Sequence, residues 1–115
     1  MTYKLLHNPR CSKSRQAKAL LEDAGVTFDE VQYLKHPLSE ADLRALARKL
    51  GLAPLEMVRK GEEAFKQHGL NQAGVSDDTV FKAVAADPIL LERPVFIAGD
   101  QAVIGRPPER VKELL

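Results

Sequence analysis

The chain of 115 residues holds one cysteine. A single thiol excludes an internal disulfide framework and makes a reducing, cytoplasmic location the expectation. Charge of one sign is also missing as an excess. There are 17 basic and 16 acidic residues, a formal net charge of +1, where a general nucleic-acid binder needs a clearly basic domain. No apolar run approaches membrane-spanning length. The N-terminus has neither the long apolar segment nor the small-residue cleavage site of a signal peptide. Repeats, low-complexity tracts and linkers are absent too. What is left is an ordinary globular composition, 44% hydrophobic and 29% charged, of a length that suits one domain over residues 1–115 with one core.

A local absence is more informative. Residues 1–21 contain Lys4, Arg10, Lys13, Arg15 and Lys18 and no acid; Glu22 is the first. The lone Cys11 lies in the middle of this stretch, in "HNPRCSKSR" at residues 7–15.

Hydrophobic spacing outlines the elements. "YKLLH" at 3–7 reads as a strand stopped by Pro9. Ser12 is placed to cap a helix with Ala17, Leu20, Leu21 and Ala24 on one face and Gly25 after it. "FDEVQYL" at 28–34 reads as a second strand. Ser39, with Asp42 three residues on, resembles a capping box for a helix carrying Leu43, Leu46, Ala47 and Leu50, closed by Gly51. The middle is less regular, with "PLEMVRK" and "EEAFKQH" as short helices. Ser76 caps a helix over 76–87 that Pro88 ends. "PVFIA" and "AVIG" form a hairpin about Gly99-Asp100, where glycine first fits a type II′ turn. "PPERVKELL" ends the chain as a short helix. A helix between the first two strands makes them parallel. The order β-α-β, helical middle, β-β-α is therefore the thioredoxin-like plan: α/β, a mixed four-stranded sheet with flanking helices and a helical insertion.

Cys11 falls just before the first helical turn, where unpaired N–H groups and the positive dipole end favour a thiolate. Helix N-termini and cationic neighbours are known to bring a thiol pKa down to ~3.5–7.5. His7, Arg10, Lys13 and Arg15 are candidate cations, and Ser12 and Ser14 candidate hydroxyl donors. The same helix end suits an oxyanion. A buried filler cysteine is the plain alternative, but it predicts apolar neighbours, and these are polar. A C-x-x-C pair would put its second thiol at position 14, which is Ser14. An oxidised Cys11 must therefore be released by a sulfur from outside the chain, such as glutathione or a glutaredoxin.

Arg93 and Arg106 flank the predicted hairpin at its open end, so antiparallel geometry brings them to one edge of the sheet. A guanidinium fork matches the oxygens of a tetrahedral anion. Taken singly, these two and Arg59 also fit an ordinary solvated surface.

At these residues the sequence resembles the glutaredoxin- and glutathione-dependent arsenate reductase family, in its shorter form. The matching pieces are "HNPRCSKSR", "HPL", "VRKGE", "DPILLERPV" and "IGRPPE", in family order over nearly the whole chain. The resemblance implies a thioredoxin-like fold and reduction of arsenate to arsenite through an arsenylated Cys11. Arg59, Arg93 and Arg106 then correspond to the oxyanion-binding arginines. His7 matches the histidine that helps activate the thiol, and Ser14 and Arg15 match positions near it. Pro94 matches the cis-proline that faces the active cysteine. Arsenate, glutathione and glutaredoxin are the implied partners. No bound cofactor, metal site, nucleic acid or membrane is expected, and nothing suggests an obligate dimer, so a monomer is expected. Two alternatives remain: a glutathione-linked thiol-disulfide oxidoreductase, and a non-enzymatic redox regulator that binds RNA polymerase. The regulator form carries C-x-x-C at the first loop, and Ser14 argues against it.

Overall fold

The computed structural model describes residues 2–115. The chain forms two compact units. One runs to His36 and resumes over Arg93–Leu115; the other is Pro37–Glu92.

The first unit is built on four strands: β1 (Tyr3–Leu6), β2 (Asp29–Val31), β3 (Val95–Ala98) and β4 (Gln101–Ile104), in the order β2-β1-β3-β4. β1 and β2 are parallel, and their crossover is α1 (Ser12–Asp23). β1–β3 and β3–β4 are antiparallel. This is the mixed sheet of the thioredoxin-like plan. Leu5 faces Phe96, and Phe96 faces Val103, so one row crosses three strands. That row meets Ala17 and Leu21 of α1 and Val111 of the C-terminal 3-10 helix (Pro108–Leu114) to form the unit's core. Leu5, Leu21 and Phe96 are fully buried, each worth roughly 1.5–3 kcal/mol of transfer free energy. Tyr3 stacks on Phe96, with ring centroids 5.5 Å apart.

The hairpin turns as expected. Gly99 takes φ +60°, and no described non-glycine residue has positive φ, so Gly99-Asp100 shows the φ signs of a type II′ turn. The second strand is shorter than the expected 28–34. It ends at Val31 because the carbonyl of Gln32 accepts from the N–H groups of both Lys35 and His36, which bends the chain away. Pairing with β1 covers only Asp29, Glu30 and Val31.

The second unit is helical, as the expected insertion is. α2 (Glu40–Leu50) buries Leu43, Leu46 and Ala47. Its start is a complete capping box between Ser39 and Asp42, and Gly51 closes it at φ +67°, a left-handed conformation that costs glycine least. α4 (Asp77–Ala86) is capped by Ser76 and buries Val80, Phe81, Ala83 and Val84. The Arg44 guanidinium lies 4.7 Å from the Phe81 ring centroid and pairs with Asp78. "PLEMVRK" is a 3-10 turn over Pro54–Met57 followed by an extended Val58, which forms an antiparallel bridge with Leu91. α3 is the short Glu63–Gln67. Among the described residues, no helix is long and apolar enough to cross a membrane.

Candidate active site

β1 delivers the chain into the loop His7–Cys11, and α1 leaves from it. Ser12, the expected cap, is instead the first helical residue; Cys11 holds the cap position, at φ −93° and ψ 123°. The physical reason lies one residue earlier in the loop's bonding. The carbonyl of Asn8 accepts from the N–H of Cys11 at 3.0 Å, which sets where the chain turns into the helix. The carbonyl of Cys11 then accepts from the N–H of Arg15 at 3.0 Å, as a cap carbonyl does. The Cys11 side chain makes no capping hydrogen bond, and the first turn holds no acid. Cys11 itself is half-buried. A thiol thus stands where helices usually place Ser, Thr, Asp or Asn.

Ser14 faces inward and is fully buried. Its Oγ shares a 2.7 Å hydrogen bond with His7 Nδ1 and accepts from the N–H of Asn8 at 3.0 Å. His7 is only 3% exposed. Burial pushes its imidazole below 6.5, helped by Lys18 and Arg15 and opposed by Glu30. Burial thus disfavours the cationic form expected of His7, and its visible link is to the Ser14 hydroxyl. Arg15 is exposed, and its Nη1 donates to the carbonyl of Pro9 at 2.9 Å, bracing the loop from outside. Lys18 pairs with Glu30 at 2.7 Å, and this hydrogen bond holds the Glu30 carboxyl below its usual range.

The arginines divide between the units. Leu6 pairs with Val95, and Val95 with Ile104. His7, Pro94 and Gly105 therefore follow at the same end of the sheet, which carries the Cys11 loop, Arg93 and Arg106. The N–H of Gly105 donates to the carbonyl of Pro94 at 2.8 Å. Arg106 Nη1 donates to the carbonyl of Arg93 at 3.0 Å. The expected meeting of Arg93 and Arg106 at the open end of the hairpin is thus present. The Arg93-Pro94 bond is cis, as the family pattern implies, and so is Arg106-Pro107, which the residues alone did not suggest. Gly105 has no room for a side chain: a Cβ there would stand 2.9 Å from Pro94 Cγ and 3.1 Å from Val111 Cγ1.

Arg93 Nε and Nη1 are buried and have no hydrogen-bond partner among the described residues. Desolvating a guanidinium without an acceptor is costly. Arg59 lies in the other unit. It pairs with Glu62 across the turn of "RKGE", and its N–H donates to the carbonyl of Leu90 at 2.7 Å. No group of three or more His, Cys, Asp or Glu placed to hold a metal occurs among the described residues.

A chain with its thiol at a helix start and, at the same end of the sheet, an arginine whose buried Nε and Nη1 lack acceptors among the described residues resembles known proteins throughout its length. The ArsC family model matches residues 6–114. The chain belongs to the ArsC family. A protein of Neisseria meningitidis serogroup A named arsenate reductase is 41% identical over 113 residues, 97% of each chain. One of Haemophilus influenzae with the same name is 41% identical over the whole of both. The solved structure of an arsenate reductase from Vibrio cholerae superposes with a TM-score of 0.96 at 42% identity, covering 100% of this chain and 98% of that one.

In this ArsC-family chain, two site features escaped the reading of the residues. Asn8 is buried and makes three of the loop's hydrogen bonds; the Asn-Pro step at 8–9 is the turn signal that points to it. Glu62, which neutralises Arg59, is visible only as an i, i+3 acid.

Proposed function

We propose that the chain reduces arsenate to arsenite, with Cys11 as nucleophile and glutathione and glutaredoxin as the electron source. The observation that carries this reading is Arg93, whose buried Nε and Nη1 lack an acceptor among the described residues, at the sheet end that bears Cys11. A tetrahedral oxyanion supplies that acceptor, and a guanidinium fork is shaped for it. The names of the relatives at 41% and 42% identity support arsenate as that oxyanion.

The cysteine count shapes the cycle. Reduction of As(V) to As(III) takes two electrons, which two thiols provide by forming one disulfide. The chain has one. Cys11 forms an S–As bond as one oxygen leaves as water. A glutathione thiol adds a second sulfur, and a second oxygen leaves as water. The two sulfurs join, arsenic keeps an electron pair, and the two-oxygen As(III) product takes back one water to depart as arsenite. Glutaredoxin and further glutathione then reduce the mixed disulfide on Cys11. Arg93 and Arg106 bind and stabilise the charged intermediate, as electrostatic stabilisation of developing charge requires. Arg59 is the third arginine of the family correspondence. His7, Ser14 and Arg15 keep the loop and thiol in place.

The test follows NADPH oxidation with glutathione, glutathione reductase and glutaredoxin, with and without arsenate. An arsenate-dependent rate is expected. A rate on a glutathione mixed disulfide with none on arsenate would overturn the reading in favour of a general thiol-disulfide oxidoreductase.

A further inference from the structure

A cysteine at a helix cap leaves the first turn without the side-chain acceptor that normally fixes it. Something else must decide where the helix begins, because a start displaced by one residue would carry the sulfur round by about a quarter turn. Ser14, the third residue of the helix, does not do this by capping. Its hydroxyl points back to the strand end, to His7 and the N–H of Asn8.

Asn8 is the residue on which these constraints converge. Its side-chain Oδ1 accepts from the N–H of Arg10 at 3.0 Å, an Asx turn. Its carbonyl accepts from the N–H of Cys11 at 3.0 Å. Its own N–H donates to Ser14 Oγ at 3.0 Å. The residue is 5% exposed, so these bonds compete little with water. Side chain and backbone together therefore close the loop upon Cys11 from both directions, spanning Asn8 to Ser14. Only the Oδ1 bond depends on the identity of the side chain.

We propose that Asn8 is a positioning residue for Cys11: its carboxamide oxygen holds the Asx turn that seats the thiol at the head of α1 with its sulfur uncommitted. This rests on Cys11 being the nucleophile of the proposed reaction. Asn8 touches neither substrate nor reductant in this role. It acts through the loop.

The test compares Asn8→Ala with Asn8→Ser in the full chain. Serine keeps a short neutral acceptor that makes the same turn more weakly. Two readouts are needed. The first is the rate of Cys11 alkylation by iodoacetamide at fixed pH, which does not require arsenate. The second is kcat and KM in the arsenate assay. In Asn8→Ala, melting near the parent temperature, the alkylation rate falls and kcat falls by up to ~10²-fold, the scale of a misplacement of about 1 Å. KM for arsenate changes little. Asn8→Ser recovers part of both rates. An alanine variant that is folded and alkylated at the parent rate would overturn the proposal. So would equal impairment of the two variants, which would assign the effect to lost bulk or to the amide donor. If the parent itself fails to reduce arsenate, the functional reading fails, yet the alkylation series still decides the role of Asn8.

Discussion

α1 and α2 begin in opposite ways. α2 starts at Ser39 with a reciprocal capping box, and Glu40 and Asp42 occupy its first turn. α1 starts at Cys11, with no side-chain cap and no acid in its first turn. The first arrangement satisfies the helix end with the chain's own groups. The second leaves the positive end of the dipole open. Charges make a second contrast, although the sheet unit also pairs Lys18 with Glu30. In the helical unit Arg44 pairs with Asp78, Arg59 with Glu62 and His68 with Asp87. In the sheet unit Arg93 keeps two buried nitrogens without acceptors among the described residues. A rule kept in one place and broken in another marks where stability was exchanged for chemistry.

Cys11→Ser gives the sharpest test of that contrast. Arsenate-dependent NADPH oxidation should vanish, because a serine hydroxyl is not a competent substitute for a thiolate. Stability in urea should rise by up to about 1 kcal/mol, because serine is a preferred cap where cysteine is not. Activity lost with stability unchanged or lower would break the view that the open cap is a cost.

Arg93→Lys comes next. Lysine keeps the charge but loses the fork, so kcat/KM for arsenate should fall on the order of 10²-fold, similar to removing one oxyanion donor. Full activity in Arg93→Lys would leave the buried nitrogens without a functional explanation.

Ser39→Ala probes the contrast from the other side. It removes the acceptor for the Asp42 N–H and should cost ~1 kcal/mol in urea denaturation. Arsenate reduction in the folded variant should not change. A large loss of kcat would show that the two helix starts are not functionally distinct.

The smallest effect concerns pH. Burial holds the folded His7 below 6.5, its ordinary value. Acidification through 6.5 protonates the unfolded chain first, so the folded state loses stability as pH falls from there toward the lower folded value. Above 6.5 this contribution is fully present. His7→Asn should flatten this part of the stability profile between about pH 7.5 and pH 5.5. An unchanged slope would remove burial of His7 as its cause.

Much of the architecture was legible because it is local. Ser39 and Gly51 bracket α2, Ser76 and Pro88 bracket α4, and Gly99-Asp100 closes the hairpin. The strand expected over 28–34 stops at Val31, because apolar residues as far as Tyr33 and Leu34 do not reveal that Gln32 turns the chain. "VRKGE" hid an extended Val58, whose partner Leu91 lies far along the chain. At the site, Cys11, Arg93 and Arg106 stood out by residue type and by their places beside predicted strand and helix ends. Asn8 did not, since its weight comes from three bonds that exist only once the loop is closed.

The sequence by itself determined that one thiol is present and that any disulfide formed in a catalytic cycle must use a sulfur from elsewhere. It also determined the hairpin and the capped helices, because caps, turns and periodicity are short-range properties. Only the tertiary structure decided that Cys11 rather than Ser12 occupies the cap, that burial disfavours the cationic form of His7, and that Arg93 Nε and Nη1 are buried without partners among the described residues. Those outcomes depend on strand register and desolvation, which arise when residues distant in the chain are packed together and water is excluded.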